Sequence, residues 1–345
     1  MMDSWRSIFF SLPFLSGLLI VIMISALCFG AYALNVSEIW ASVVHQTNEQ
    51  AHFLILNIRL PRILLAAVTG AGLAIAGAAI QGLFRNPLAD QTLIGVTSGA
   101  MLFAVLAIVF MGSFLASLSD FFRQSIVAIF AFIGGLITTY FVYFLAKKEG
   151  KTLVMTMLLA GIAISAFAAA ITGIFIYISD EAQLRDITFW SLGSFSGASW
   201  VQLLIIAPIT LIGCFLLHRY ARSLNAILLG EKEAVYLGIS VERVKSNIIF
   251  LTAMIVGVCI AMSGIIGFVG LIIPHFLRLL HSTDYRYLLR SSALLGAIFL
   301  VLADTLARTI IAPAELPIGI LTAIIGAPFF LWLLLRTQRE KLVAW

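Results

Sequence analysis

Long apolar runs separated by short polar connections fill this sequence between residues 9 and 335. A helix that crosses the hydrocarbon core of a bilayer needs about 20 apolar residues, and runs of that length recur along the whole chain. Inside lipid, only helices and closed barrels satisfy their backbone hydrogen bonds. The pattern therefore predicts an all-α polytopic membrane protein, built as a single transmembrane domain over residues 1–345.

Composition agrees with this fold class. Charged residues make up 11% of the chain and hydrophobic residues 62%, whereas soluble domains carry about 25% charged residues. The net charge of +5 comes from basic residues in short loops, where they act as topology signals. We therefore expect the lipid bilayer as a partner, and no nucleic acid.

We predict ten spanning helices. They lie near residues 9–34, 61–82, 92–111, 124–146, 153–177, 200–217, 247–266, 268–281, 288–311 and 316–335. The first run is too long for the apolar core of a signal peptide, which has about 7–15 residues. The stretch 247–281 is ambiguous because glycines and Pro274 interrupt it. It is either two passes with a tight outer turn or one broken pass.

The distribution of basic residues distinguishes these alternatives. With ten passes, the outer side holds Arg59, Arg62, Arg123, Arg185 and Arg308, and the remaining 16 of 21 Lys and Arg residues lie inside. With nine passes the split becomes 11 to 10. Cytoplasmic loops carry an excess of Lys and Arg. Ten passes are therefore favoured, with both termini and the polar insertion 218–246 in the cytoplasm.

A faint internal repeat relates residues 72–82 to residues 257–267. With ten passes, the two segments cross the membrane in opposite directions, as in the inverted repeats of many transporters. Because Gly and Ala are abundant here, chance similarity is the alternative.

Signs of covalent chemistry are missing from the sequence. The Gly-Lys-Thr of residues 150–152 resembles the end of a phosphate-binding loop, but Leu145 stands where that motif needs its first glycine. There is no HExxH motif and no Ser-His-Asp arrangement. We expect no enzyme activity, no catalytic residue, no metal site and no cofactor bound by this chain.

Charge inside the apolar runs is scarce. Asp304, with Arg308 four residues later, is the one clear candidate for an intramembrane ion pair. Ion-coupled transporters usually keep several such groups. An ion-coupled secondary transporter is therefore the less favoured alternative, and the energy for transport is expected from another source.

The insertion 218–246 contains two short amphipathic turns. Leu224, Ile227 and Leu228 form one apolar face, and Ala234, Val235 and Leu237 form another. Gly230 and Gly238 can end the two turns. The pair either lies on the membrane surface or fits a groove on a soluble partner.

Three arginines on the outer side, Arg59, Arg62 and Arg308, also need an explanation. They are either interfacial anchors or bidentate contacts for carboxylates of an extracellular partner.

Eight short motifs occur in a characteristic order and spacing, at residues 59–62, 85–90, 95–100, 229–231, 237–238, 267–275, 303–308 and 315–319. They resemble the FecCD-type (BtuC-like) permease subunits of ABC importers for iron–siderophores, haem and vitamin B12.

This resemblance implies a homodimer in the bacterial inner membrane, two separate cytoplasmic ATPase subunits that bind ATP and Mg²⁺, and a periplasmic substrate-binding protein. It assigns binding-protein docking to Arg59, Arg62 and Arg308. It assigns ATPase coupling to Leu228, Gly230, Glu231, Ala234, Leu237 and Gly238, and the cytoplasmic gate to Asn86, Leu88, Val154 and Met155. Residues 183–194 look most like the haem permeases, so haem is favoured as cargo over an iron–siderophore or cobalamin.

Overall fold

The computed structural model describes residues 11–30, 32–44, 48–112 and 120–343. Its helices, numbered here in chain order, are α1 (Leu12–Cys28), α2 (Val36–Val44), α3 (Glu49–Phe53), α4 (Leu60–Leu83), α5 (Val96–Phe110), α6 (Asp120–Ala146), α7 (Val154–Ile178), α8 (Glu181–Leu192), α9 (Trp200–Arg219), α10 (Ala221–Leu229), α11 (Glu231–Tyr236), α12 (Val241–Ser263), α13 (Val269–Leu280), α14 (Tyr285–Ala307) and α15 (Ile318–Val343). A π-helix, Leu54–Arg59, joins α3 to α4, and a 3₁₀-helix, Gln91–Ile94, precedes α5. The only strands in the described residues are β1 (Lys147–Lys148) and β2 (Lys151–Thr152).

The number of spans agrees with the sequence prediction. Among the described residues, six helices are long and apolar enough to cross a membrane, and four further apolar helices are shorter. The second span begins earlier than expected, because the helix runs without a break from Glu49 through the π-helix to Leu83. Part of the stretch between the first two predicted spans is therefore helical.

Helix α4 lies at the centre of the bundle, and 83% of the apolar part of its span is buried. Glycine permits its closest contacts. A Cβ on Gly70 would overlap the backbone of Gly296 in α14, and one on Gly77 would overlap the backbone of Gly270 in α13. Small residues thus let three helices approach backbone to backbone, the usual solution where lipid gives no hydrophobic drive for helix association.

The ambiguous stretch 247–281 forms two helices, as the alternative with two passes predicts. The non-helical connection 264–268 joins α12 to α13. Gln81, near the end of α4, donates to the carbonyls of Gly270 (3.1 Å) and Leu271 (3.3 Å). The first turn of α13 therefore lies beside the last turns of α4, and residues 264–268 run into the bundle to reach it. Non-helical backbone is tolerated at such depth because protein covers it.

Polar connections gather at the two ends of the bundle. The basic end comprises the connections 84–95, 147–153, 220–240 and 281–284, and the opposite end comprises residues 29–30, 32–44, 48–59, 179–199 and 308–317. Hydrogen bonds join the parts of the basic end. Asn225 donates to Asp284 (2.7 Å), and Lys245 donates to Thr152 O (3.1 Å). The predicted cytoplasmic insertion thus lies beside the predicted gate segments.

Candidate functional site

The two predicted amphipathic turns are present at the basic end as α10 and α11, named here the coupling pair. Gly230 separates them with a φ of 142°, and Gly238 follows α11 with a φ of 80°. An L-residue rarely adopts either conformation, so glycine is needed at both positions. The predicted ends of both turns are confirmed.

The coupling pair buries one face and exposes another. Leu224 and Ile227 are fully buried against the core. The exposed large apolar side chains are Leu228, Leu229, Val235, Tyr236 and Leu237, with Tyr236 89% and Leu237 64% exposed. Large apolar side chains that are exposed at the polar end of a helix bundle are typical of a contact with a protein or a membrane.

Some of the predicted coupling residues are buried and cannot contact a partner directly. Ala234 is fully buried and Gly230 is buried, so these two hold the turn and do not present a surface. Glu231 is about one-third exposed and bonded to Lys245 (2.8 Å). Leu228, Leu237 and Gly238 are exposed. Their contact with an ATPase stays a prediction.

The predicted gate residues lie at the same end on two separate segments. Asn86 Oδ1 accepts a hydrogen bond from Leu88 N (2.9 Å), which fixes the turn after α4. Val154 and Met155 form the first turn of α7, and the Met155 side chain is 69% exposed. The 3₁₀-helix after the turn packs on α7, where a Cβ on Gly161 would overlap Leu93 O. The structure thus connects the two segments, and their gating role stays a prediction.

The segment that resembles a phosphate-binding loop is a hairpin. β1 and β2 pair antiparallel, with Lys147 opposite Thr152. Glu149 and Gly150 form its two-residue turn, with φ values of 52° and 79°. Two positive φ values in succession are typical of a type I′ hairpin turn. This conformation is unlike the strand–loop–helix that cradles phosphates.

The three arginines predicted on the outer side, Arg59, Arg62 and Arg308, lie with Asp304 and Glu315 at the end of the bundle opposite the basic end. Arg62 donates to both carboxylate oxygens of Asp304 (2.9–3.1 Å) and to both of Glu315 (2.8 and 3.0 Å). The Arg62 and Asp304 side chains are only 8% and 2% exposed. The predicted Asp304–Arg308 ion pair is present, but Arg308 Nε stays 3.9 Å from the carboxylate. Arg62 is the principal partner of Asp304.

The other two arginines are bonded to backbone carbonyls. Arg59 donates to the carbonyls of Leu27 and Tyr32, and Arg308 donates to Ala26 O (2.5 Å). The carbonyls of Ala26 and Leu27 lie in the last turn of α1, where a helix carries partial negative charge. The cluster thus clamps α1, α4 and α14 together. Contact between these buried guanidiniums and a docked partner stays a prediction.

A sequence model of the FecCD transport family matches residues 18–336. The chain belongs to the FecCD transport family. It is 44% identical to the hemin transport system permease protein HmuU of Yersinia pestis over 330 residues, which cover 96% of each chain. It is 38% identical to the vitamin B12 import system permease protein BtuC of Shigella boydii, with 94% of each chain covered.

A solved structure agrees with this assignment. It is an inward-facing conformation of a metal-chelate type ABC transporter, with a TM-score of 0.81 and 36% identity. The alignment covers 94% of this chain and 98% of the other. This FecCD-family chain is therefore a multi-pass ABC importer permease, and the resemblance in its motifs is confirmed.

Two polar groups at the basic end were missed by the sequence reasoning. Lys245 is 2% exposed and bonded to Glu231, Glu242 and Thr152. Arg278 donates to Gln81 and to the Tyr285 hydroxyl (3.0 Å). The spacing of Glu242 and Lys245 on one helix face was the one available signal, since the other partners are distant in sequence.

Proposed function

We propose that this permease carries haem across the bacterial inner membrane as a homodimer, driven by two copies of a separate cytoplasmic ATPase and supplied by a periplasmic binding protein. In this proposal the basic end and both termini lie in the cytoplasm. The chain itself performs no covalent chemistry, and ATP and Mg²⁺ bind to the ATPase.

The exposed apolar surface of the coupling pair carries the ATPase part of this proposal. Five large apolar side chains of the coupling pair are exposed, while the other faces of its helices are buried against the core. The exposed charged residues beside this surface, Arg222, Lys232 and Glu233, carry both signs. An amphipathic helix with exposed apolar anchors suits a groove on a soluble protein.

The cargo part rests on likeness to relatives. The hemin permease is 44% identical to this chain and the vitamin B12 permease 38%. Cobalamin and iron–siderophores remain the alternatives in the same family, and an ion-coupled secondary transporter is the alternative from another class.

Reconstitution tests the proposal. The chain, its ATPase and its binding protein are placed in proteoliposomes, and uptake of haem, a ferric siderophore and cobalamin is compared. We expect ATP-dependent uptake of haem. Transport of another cargo instead would contradict the cargo assignment. Uptake that persists without the ATPase and collapses with an uncoupler would identify a secondary transporter.

A pair of matched substitutions tests the coupling surface. Tyr236 in α11 and Tyr177 near the end of α7 are both 89% exposed. Tyr236→Asp should weaken ATPase association, because it places a charge in the apolar contact. Tyr177→Asp, at the opposite end of the bundle, should leave association unchanged. Equal association of both variants with the ATPase would exclude the coupling pair as the contact.

A further inference from the structure

Lys245, in the second turn of α12, is buried although it carries a charge. Its side chain is 2% exposed. Nζ donates to Glu231 Oε2 (2.8 Å), Glu242 Oε1 (3.0 Å) and Thr152 O (3.1 Å). An ammonium group has three donors, and each has an acceptor here. The position of this group is therefore fully determined by its neighbours.

The three acceptors of Lys245 belong to different parts of the basic end. Glu231 is the first residue of α11 in the coupling pair, and Glu242 lies in the first turn of α12. Thr152 is the last residue of the hairpin between α6 and α7. Its N–H also donates to Glu242 Oε2 (2.7 Å). Glu242 thus accepts a hydrogen bond from the backbone N–H of Thr152, and Lys245 donates one to its backbone carbonyl.

Thr152 stands directly before the gate helix. Leu153 is the N-cap of α7 and Val154 its first residue. The preceding hairpin is closed by a two-residue turn and by the hydrogen bond from Leu153 N to Ala146 O (3.0 Å). Because the hairpin is short and fully paired, a displacement of Thr152 moves the start of α7 without unravelling the chain before it.

We infer that Lys245 is a positioning residue that transmits movement of the coupling pair to the gate helix α7. This inference rests on the proposed function. A shift of α11 under the ATPase moves Glu231, Lys245 follows its carboxylate, and Thr152 follows Lys245. Val154 and Met155 are then displaced as one unit with the coupling pair.

The test measures uptake per ATP hydrolysed in the reconstituted importer. Lys245→Met keeps the length and apolar body of the side chain but removes the charge. Glu231 and Glu242 are about one-third exposed and can be hydrated when the lysine is lost. We expect the variant to assemble with the ATPase and to hydrolyse ATP, while uptake per ATP falls by about tenfold, a typical coupling between distant sites.

Two further variants separate transmission from general stability. Lys245→Arg keeps the charge and should recover part of the lost uptake. Lys148→Met removes an exposed lysine from the same hairpin and should leave uptake per ATP unchanged.

Each outcome decides the inference. If the wild-type importer shows no ATP-dependent uptake, the proposed function fails and the inference falls with it. If the wild type transports and Lys245→Met keeps the same uptake per ATP, only the inference is wrong. If Lys245→Met does not assemble, Glu231→Ala decides, because it removes the acceptor in α11 and keeps the other two acceptors of Lys245. An unchanged ratio in that variant overturns the inference, and a lowered ratio supports it.

Discussion

Replacing Arg62 by Met should destabilise the bundle more than any loss of an exposed ion pair. Arg62 makes three hydrogen bonds of 2.9–3.1 Å to Asp304, whose side chain is 2% exposed. Arg62→Met removes these bonds and leaves the carboxylate buried. Removing one partner of a buried pair costs about 3–5 kcal/mol, because the other charge is left uncompensated.

Arg308 can replace only part of this interaction. Its Nε lies 3.9 Å from Asp304, and another of its nitrogens is held by Ala26 O at 2.5 Å. The companion change Asp304→Asn removes the stranded charge. The double variant should therefore lose less than the two single variants together, with a coupling energy of about 2 kcal/mol, within the range for residues in contact.

Thermal unfolding in detergent micelles measures all three variants. The pair Arg123–Asp186 is the control, because its atoms lie 3.9 Å apart and its side chains are 39% and 48% exposed. Breaking an exposed pair costs about 1 kcal/mol or less. If Arg62→Met lowers the unfolding midpoint no more than Arg123→Met, the cluster is hydrated and our reasoning about its burial is refuted.

This result also decides how docking can be tested. Arg62→Glu would abolish uptake through misfolding whether or not a binding protein contacts this residue. Glu315 is 38% exposed, so Glu315→Gln disturbs the cluster more mildly. Binding-protein affinity measured on a folded variant of this kind separates docking from stability.

Three further outcomes are expected. Gly70→Ala should cost about 1–3 kcal/mol by overpacking, whereas Gly17→Ala, with nothing within 4 Å of the added Cβ, should show no such loss of thermal stability. Asp284→Ala should cost about 1 kcal/mol as a lost N-cap. A hydrogen bond from Asn225 lowers the pKa of Asp284. The stabilisation of the fold by the Asp284 carboxylate should therefore be fully present above the ordinary carboxyl pKa of about 3.9 and disappear as the pH falls through the lowered pKa. Thermal unfolding measured at several pH values tests this. Gly230→Pro should uncouple ATP hydrolysis from uptake, because a φ of 142° is closed to proline; unchanged stimulated transport would remove this position from the coupling pair.

The spans could be predicted because hydropathy is a local property of the chain. Each apolar run must be helical in lipid whatever its neighbours are. The coupling pair was predictable for a similar reason, since Gly230 and Gly238 end its helices locally. Helix α8 and the early start of the second span were missed, because their residues are less apolar than the spans and hydropathy alone does not detect them; the local signals are the side-chain caps Asp180 and Asn48.

The polar contacts were predictable only within one helix. The spacing of Asp304 and Arg308 indicated an ion pair, but the stronger partner, Arg62, is 242 residues away in sequence. Lys245 and Thr152 are 93 residues apart. The depth at which α13 begins was not predictable, because it depends on hydrogen bonds from Gln81 of another helix. Such facts depend on which helices pack together.

The two buried charge networks differ in the helices that they hold. Arg62 joins α4 to α14, and 83% of the apolar part of the α4 span is buried. Lys245 holds the start of α7, and this chain alone buries only 17% of the apolar part of α7. A helix with few buried contacts is displaced at lower cost than one packed on all sides. We therefore expect changes at Arg62 to alter stability with little selective effect on coupling. Changes at Lys245 should alter uptake per ATP at nearly constant stability, and the reverse result would place the mobile element elsewhere in the bundle.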